Sequence, residues 1–278
     1  MKNILLLTDF SKTSINAIHY AIRLFKDTSC AFYLLHVKSS ASYATDDLMA
    51  AGNESIYSSI VKGSKDDLDT IVIDIKRKFK KETLVFETLV DYDGFTDSIK
   101  QTIEKKAIDL VVMGTNGVTG AKEVVFGSNT TNVIRTINCP ILAVPEGFNF
   151  RTTNDILFPL DAADSLSGQA FEKAAQFAIN FSQKIHILRI NPDSKNPTDE
   201  HKDQKHLNAY IKTIDTKYHV VNNVPMNYAV DCYLQTHQID LMLLLVQPEH
   251  FLERFFTSSA TTKISNTIRV PLLVFHSA

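Results

Sequence analysis

Short apolar runs alternate along this chain with segments whose apolar residues recur every three or four positions. Asn3–Thr8, Phe32–Val37, Leu84–Leu89, Leu110–Met113 and Ile141–Val144 are rich in leucine and β-branched residues and read as buried strands. Between them Ile15, Ile18, Ile22 and Phe25 fall at helical spacing, as do Ile99, Ile103 and Ala107, and then Val133, Ile134 and Ile137. From Asp46 to Lys80, Leu68, Ile71, Val72 and Ile75 stand among charges, which predicts a long surface helix after a mobile stretch. Strand, helix, strand, helix is the order of an α/β fold, a parallel sheet with right-handed crossovers and helices on both faces.

The pattern occurs twice. Ile108–Pro145 lies over Ile239–His276 without a gap at an offset of 131, sharing Ile-Asp-Leu, Ser-x-Thr-Thr and Pro-x-Leu. Upstream, Ile4-Leu-Leu-Leu-Thr-Asp9 pairs with Ile156-Leu-Phe-Pro-Leu-Asp161, each followed by a helical pattern. The chain therefore reads as two tandem copies, 1–147 and 152–278, joined through Glu146–Thr153. Each is expected to be an open, doubly wound, parallel five-stranded sheet of order 3-2-1-4-5.

Composition narrows the functions. With 278 residues and 44 % apolar content the chain has material for two cores. A formal charge of -2 and a pI near 6.5 leave no basic surplus for nucleic acid or anionic membrane. Apolar runs are too short to cross a bilayer, and MKNILLLTDF meets an acid before a signal-peptide core forms, so a cytoplasmic protein is expected. Cys30, Cys139 and Cys232 stand far apart, as reduced core or near-core thiols rather than a disulfide framework or zinc site. His201 and His206 read as solvated loop residues, and no metal motif is present.

Four of nine glycines lie between Met113 and Ser128, after the apolar run Ile108–Met113. In a doubly wound sheet of this order ligands bind where the strand order reverses, between strands one and four. Strand one ends in Thr8-Asp9 and strand four in Met113-Gly114. Gly114 and Gly117 let main-chain amides approach a ligand with no Cβ in the way. Gly127-Ser128 opens a helix whose first-turn amides lack internal partners, an anion site to which Ser128 and Thr130 add hydroxyls. The alternative is that Ser128 only caps the helix and the glycines only turn the chain. The stretch is neither a Walker A motif nor a dinucleotide fingerprint.

Gly114-x-x-Gly117, nine residues and Gly127-Ser128, preceded by "DLVVMG" and followed by "CPILAVP", resembles the nucleotide-binding signature of the universal stress protein (UspA-like) family. "NILLLTDFSKTSINAIHYA" resembles that family's opening. The resemblance covers copy one and, more weakly, copy two. It implies an adenine nucleotide alpha hydrolase-like fold and binding of ATP or another adenine nucleotide, with Mg2+ as a candidate companion. Thr8, Asp9, Val37 and Met113 would line the adenosine end, with Asp9 on ribose or adenine. Gly114, Gly117, Gly127, Ser128, Asn129 and Thr130 would surround the phosphates. Without the resemblance Asp9 reads equally as an N-cap of the first helix, Val37 as strand-end core and Lys122 as a loop lysine. Copy one departs from the family at Asp91-Tyr92-Asp93, whose charge would weaken polyphosphate binding.

Copy two has lost the cradle. Gly114, Gly117 and Gly127 become Leu245, Pro248 and Ser258, while Ser259, Thr261 and Thr262 remain. The aromatics of His250–Phe256 are expected to fill the former site, and Asp161 reads as a helix cap or relic. The terminal strands, Ile141–Val144 and Leu272–Phe275, are exposed-edge candidates. They are expected to pair within the chain as a pseudo-dimer, with association of whole chains into a homodimer left open. Three function classes follow: a nucleotide-binding stress-response protein, a slow ATP hydrolase, or a nucleotide-free interaction scaffold. No catalytic residue is evident for the hydrolase.

Overall fold

In the computed structural model the described residues are 2–38, 53–80, 83–115, 127–161, 164, 166–191, 200–246 and 269–276. Gly117, Lys122, Pro248, Ser258, Ser259, Thr261, Thr262 and the 250–256 aromatics lie outside them, as does the stretch before residue 53. Packing divides the chain into two units, Met1–Gly114 and Thr115–Ala278.

The first unit contains β1 (Lys2–Leu7), α1 (Lys12–Leu24), β2 (Cys30–Val37), α2 (Asn53–Lys78), β3 (Val85–Asp91) and α3 (Phe95–Lys106), and β4 (Leu110–Thr115) closes it. Its strands run parallel in the order β3-β2-β1-β4. Ile4, Leu5 and Leu6 are fully buried because β1 is flanked on both edges and covered on both faces, which is why its sequence is continuously apolar. The edge strand β3 instead begins by alternating exposed and half-buried residues. On α2, Leu68, Val72 and Ile75 are buried at helical spacing while Ile73 is exposed.

The second unit contains α4 (Ser128–Thr136), β5 (Ile141–Pro145), β6 (Asp155–Asp161), α5 (Gln169–Phe181), β7 (Lys184–Asn191), α6 (Glu200–Tyr210), β8 (Asp215–Asn222), α7 (Met226–Thr236), β9 (Leu241–Val246) and β10 (Leu272–His276). Its order is β5-β10-β9-β6-β7-β8. Numbered within the second copy, β8-β7-β6-β9-β10 is 3-2-1-4-5. The sheet does not stop at that copy's fifth strand: β5 pairs antiparallel with β10, Leu272 opposite Ala143 and Val274 opposite Ile141. β5 therefore belongs to the second unit, and the packing division, after Gly114, falls ahead of the repeat boundary.

The repeated Ile-Asp-Leu has a physical purpose in both copies. Asn3 N donates to the Asp109 carboxylate at 2.8 Å, and Asp109 N donates back to the Asn3 carbonyl at 2.8 Å. In copy two Asp155 N donates to the Asp240 carboxylate at 3.1 Å and Asp240 N to the Asp155 carbonyl at 2.9 Å. The clamp fixes the register of the first strand against the fourth, and in copy two Arg151 Nε adds an ion pair to Asp240 at 2.6 Å.

Two expectations change. Cys30 and Cys139 are buried, but Cys232 is exposed on α7. His201 and His206 lie on a helix, α6, rather than in a loop, and His206 is half-buried with Nδ1 near the Leu166 carbonyl at 3.1 Å. Among the described residues no helix is long and apolar enough to cross a membrane.

Candidate functional site

The turn from β1 into α1 is built around Thr8. Its amide donates to the Leu35 carbonyl at 3.0 Å, and its carbonyl accepts from His36 Nδ1–H at 2.9 Å. Its buried hydroxyl pairs with the Ser14 hydroxyl and accepts from the Phe10 amide, both at 3.0 Å. These bonds hold Phe10 at φ +66°, a left-handed conformation costly for a bulky residue, against the His36 ring at 4.4 Å between centroids.

Asp9 is exposed, and its Oδ1 accepts the Ser11 amide at 3.0 Å in an Asx turn. Partial burial alone pulls its pKa up, but bonds from the Ser11 side chain and amide and from Ser14 outweigh that and leave the carboxyl below its usual range. Asp9 is not the N-cap of α1. Ser11 is: its hydroxyl accepts the Ser14 amide at 3.1 Å. The carboxylate therefore stands at the strand end as an ionised acceptor.

Val37, half-buried, ends β2 opposite Asp91. Asp91 turns its Oδ1 onto the Tyr92 and Asp93 amides at 2.7 and 3.1 Å, and Asp93 Oδ2 accepts from Gln101 Nε2 at 3.2 Å. The acidic loop thus has internal donors for both carboxylates. Met113 is buried, and Gly114 has a packing reason to be glycine. A Cβ there would stand 2.7 Å from the Thr13 carbonyl oxygen and 2.8 Å from its carbon. The missing side chain lets α1 start at Lys12, three residues after Asp9.

Gly127, the N-cap of α4, is different. Its φ of -60° and ψ of 160° suit any residue, and a Cβ would meet nothing within 4 Å. Among the described residues no side chain caps this helix. Ser128 is its first residue rather than its cap, so the Ser128 and Asn129 amides have no intrahelical acceptor. Gly127, Ser128 and Asn129 are exposed and Thr130 is buried. A helix start whose first amides have no intrahelical acceptor, with no cap among the described residues and no acid in its first turn, fits an anion such as phosphate.

In copy two the same strand ends are filled. Leu160 and Arg189 match Thr8 and His36 by register. Arg189, 1 % exposed, donates through Nη1 to the Asp161 and Asp164 carbonyls at 2.5 and 2.9 Å and through Nε to the Asp203 carboxylate at 2.8 Å. Tyr218 OH donates to the same carboxylate oxygen at 2.6 Å, and burial together with Asp203 pushes its pKa up. Leu245, buried, stands where copy one has Gly114. Asp161 is not the N-cap of α5, which opens at Gln169 behind Gly168. Sequence reading missed Arg189, His36 and Phe10. The arginine inside an otherwise apolar strand, Ile185–Ile190, was the available signal. A cavity of about 740 Å³ in this unit is lined by Glu146, Phe148, Arg151, His237, Ile239 and Arg269, none of them a predicted ligand residue.

The profile of the "Universal stress protein family" matches residues 1–145. The chain belongs to the universal stress protein family. It is 28 % identical over 143 residues to universal stress protein MJ0531 of Methanocaldococcus jannaschii, covering 51 % of this chain and 81 % of that one. It is 27 % identical over 142 residues to universal stress protein YxiE of Bacillus subtilis, covering 50 % of this chain and 96 % of that one. The crystal structure of a universal stress protein from Archaeoglobus fulgidus covers 99 % of this chain and 98 % of its own at 14 % identity and a TM-score of 0.74. The last likeness extends the shared fold over both copies of this universal stress protein.

Proposed function

We propose that this protein is a cytoplasmic stress-response regulator that binds an adenine nucleotide, ATP with Mg2+ first among them, through copy one. The observation that carries the reading is Gly127: among the described residues neither backbone conformation nor packing asks for glycine there, yet it heads a helix with no side-chain cap and an exposed first turn at Ser128 and Asn129. A ligand approaching the backbone supplies the missing reason. In this reading the family resemblance assigns Gly114, Gly117 and Gly127–Thr130 to the phosphates and Asp9 to the ribose. Val37, Thr8 and Met113 border the base. Phosphate charge would be opposed by Mg2+. Among the described residues no three acidic, histidine or cysteine side chains are grouped to hold a metal, so the ion would come with the nucleotide.

Copy two is proposed to bind no nucleotide, because the Arg189 guanidinium takes the carbonyls at its strand ends. Its role is that of a built-in partner, supported by the β5–β10 pairing. Binding without turnover is the favoured activity: Asp9 accepts amides at the turn, and no general base or arginine finger was found in the sequence.

Calorimetry with ATP and Mg2+ tests the reading, together with analysis of nucleotide released on heating the purified protein. Gly117→Val is expected to abolish uptake while the melting temperature holds. Unchanged uptake rejects the cradle, and turnover above a few per hour favours the hydrolase.

A further inference from the structure

His276 ends β10, the last strand of copy two, and its ring reaches into copy one's helix α4. Nε2–H donates to the Ile134 carbonyl at 2.7 Å across 142 residues of sequence. That carbonyl belongs to the last turn of α4. The backbone leaves the helix at Ile137 (φ -106°, ψ 116°), whose amide takes the Val133 carbonyl, so the helix itself offers Ile134 O no partner. A histidine donor at a helix C-terminus is a recognised cap, here supplied by another repeat.

The helix depends on such help. Nine residues are too few to hold a helix in water, and α4 is anchored by Val133 and Ile134, both fully buried, and by this bond. The matching position in copy one, 131 residues earlier, is Pro145, which has no donor, so the arrangement cannot be reciprocal. With Nε2 donating, Nδ1 is buried without a hydrogen-bond partner. The ring is therefore the neutral Nε2–H tautomer. Burial lowers its pKa, offset only in part by the Ile134 carbonyl. Of the elements around it, β5 and β9 carry no charged residue, α4 carries Arg135 alone, and α5, which also packs on β10, carries Glu172 and Lys173, both exposed.

We infer that His276 is a positioning residue for the amino-terminal end of α4: copy two's terminal strand grips the far end of the helix and so sets where its free amides stand. The inference rests on the proposed nucleotide reading for its ligand. A nine-residue helix is a rod of about 13 Å, so release at one end is felt at the other. Misplacement by an ångström at a binding constellation is enough to be measured. It also gives the degenerate copy a task that needs no ligand of its own.

The test is made on the full chain with His276→Ala and His276→Gln, the latter keeping an N–H donor. Hydrogen exchange is followed at the α4 amides from Thr131 to Ile137, and ATP affinity by calorimetry with Mg2+. His276→Ala is expected to speed α4 exchange and to weaken ATP about five- to tenfold, the size of one lost hydrogen bond. His276→Gln should restore most of both. In the wild type, exchange corrected for its intrinsic pH dependence should rise in α4 as pH falls below 6.5, because a second N–H on buried Nδ1 has no acceptor. The glutamine variant should stay flat. Faster exchange with unchanged ATP affinity overturns the positioning role, and unchanged exchange overturns the latch. Should His276→Ala fail to fold, the glutamine variant and the wild-type pH profile decide. If the wild type takes up no ATP, the nucleotide reading falls, and the exchange arm alone decides the latch.

Discussion

The two copies use one sheet topology and part at one level, the carboxyl ends of their first two strands. In copy one Thr8 faces His36, and a short serine-capped turn leaves the Asp9 carboxylate outward. In copy two the matching pair is Leu160 and Arg189, and the guanidinium spends its donors on two backbone carbonyls and Asp203. A buried cation must be paired, so one arginine recruited a carboxylate from α6 and a phenol from β8. On the proposed reading, intramolecular hydrogen bonds in copy two take over the groups that a ligand would use in copy one.

The largest effect is expected from breaking the copy-two cluster. Asp203→Ala leaves Arg189 buried and unpaired and should cost about 3–5 kcal/mol by urea denaturation, whereas Arg189→Met with Asp203→Leu should be close to neutral. A small loss in the single variant would mean that the cluster is not what closes copy two.

Next is the contrast between the two glycines of copy one. Gly114→Ala drives a Cβ into the Thr13 backbone and should cost about 1–3 kcal/mol, read as a lower melting temperature. Gly127→Asp should do the opposite: a carboxylate cap stabilises α4 by roughly 0.5–1 kcal/mol while competing for the amides that a phosphate would use. A gain in melting temperature with a loss of ATP affinity is the expected pairing. Equal ATP affinity in the aspartate variant would remove α4 from the proposed site.

The smallest effect is an acid one. Burial, with Lys78 and Arg23 nearby, lowers the His19 pKa to about 4, and Lys78 Nζ donates to its Nδ1 at 3.1 Å. Between the ordinary histidine value of 6.5 and about 4 the unfolded chain therefore holds a proton that the folded chain refuses. Stability should fall across that window with a slope of at most one proton for this residue, and Lys78→Met should raise the window's lower edge and so narrow it. Proton-coupled denaturation curves measured from pH 7 to pH 4 check the sign.

Much of this was legible in the chain itself. Period-two and period-3.6 patterns located the strands and helices, since burial of a strand or a helix face leaves a local signature. The offset of 131 exposed the duplication, and Gly127 stood out as a glycine after a gap of fixed length. What misled was local ambiguity. Asp9 and Ser11 are both good helix caps, and only the turn around Thr8 selects the serine. Gly114 looked like ligand-facing backbone, yet its immediate reason is contact with Thr13, a neighbour a hundred residues away in sequence.

The order of apolar and polar residues therefore determined the elements, because each follows from which face of a short segment avoids water, while identities at an offset of 131 gave the repeat and the glycine spacing with its flanks gave the family resemblance. Tertiary structure alone decided which side chains satisfy which groups: Arg189 with Asp161 and Asp203, His276 with Ile134. Those pairings depend on distances between residues remote in sequence, and hydrogen bonds, being directional and short, have no periodicity for a sequence to display.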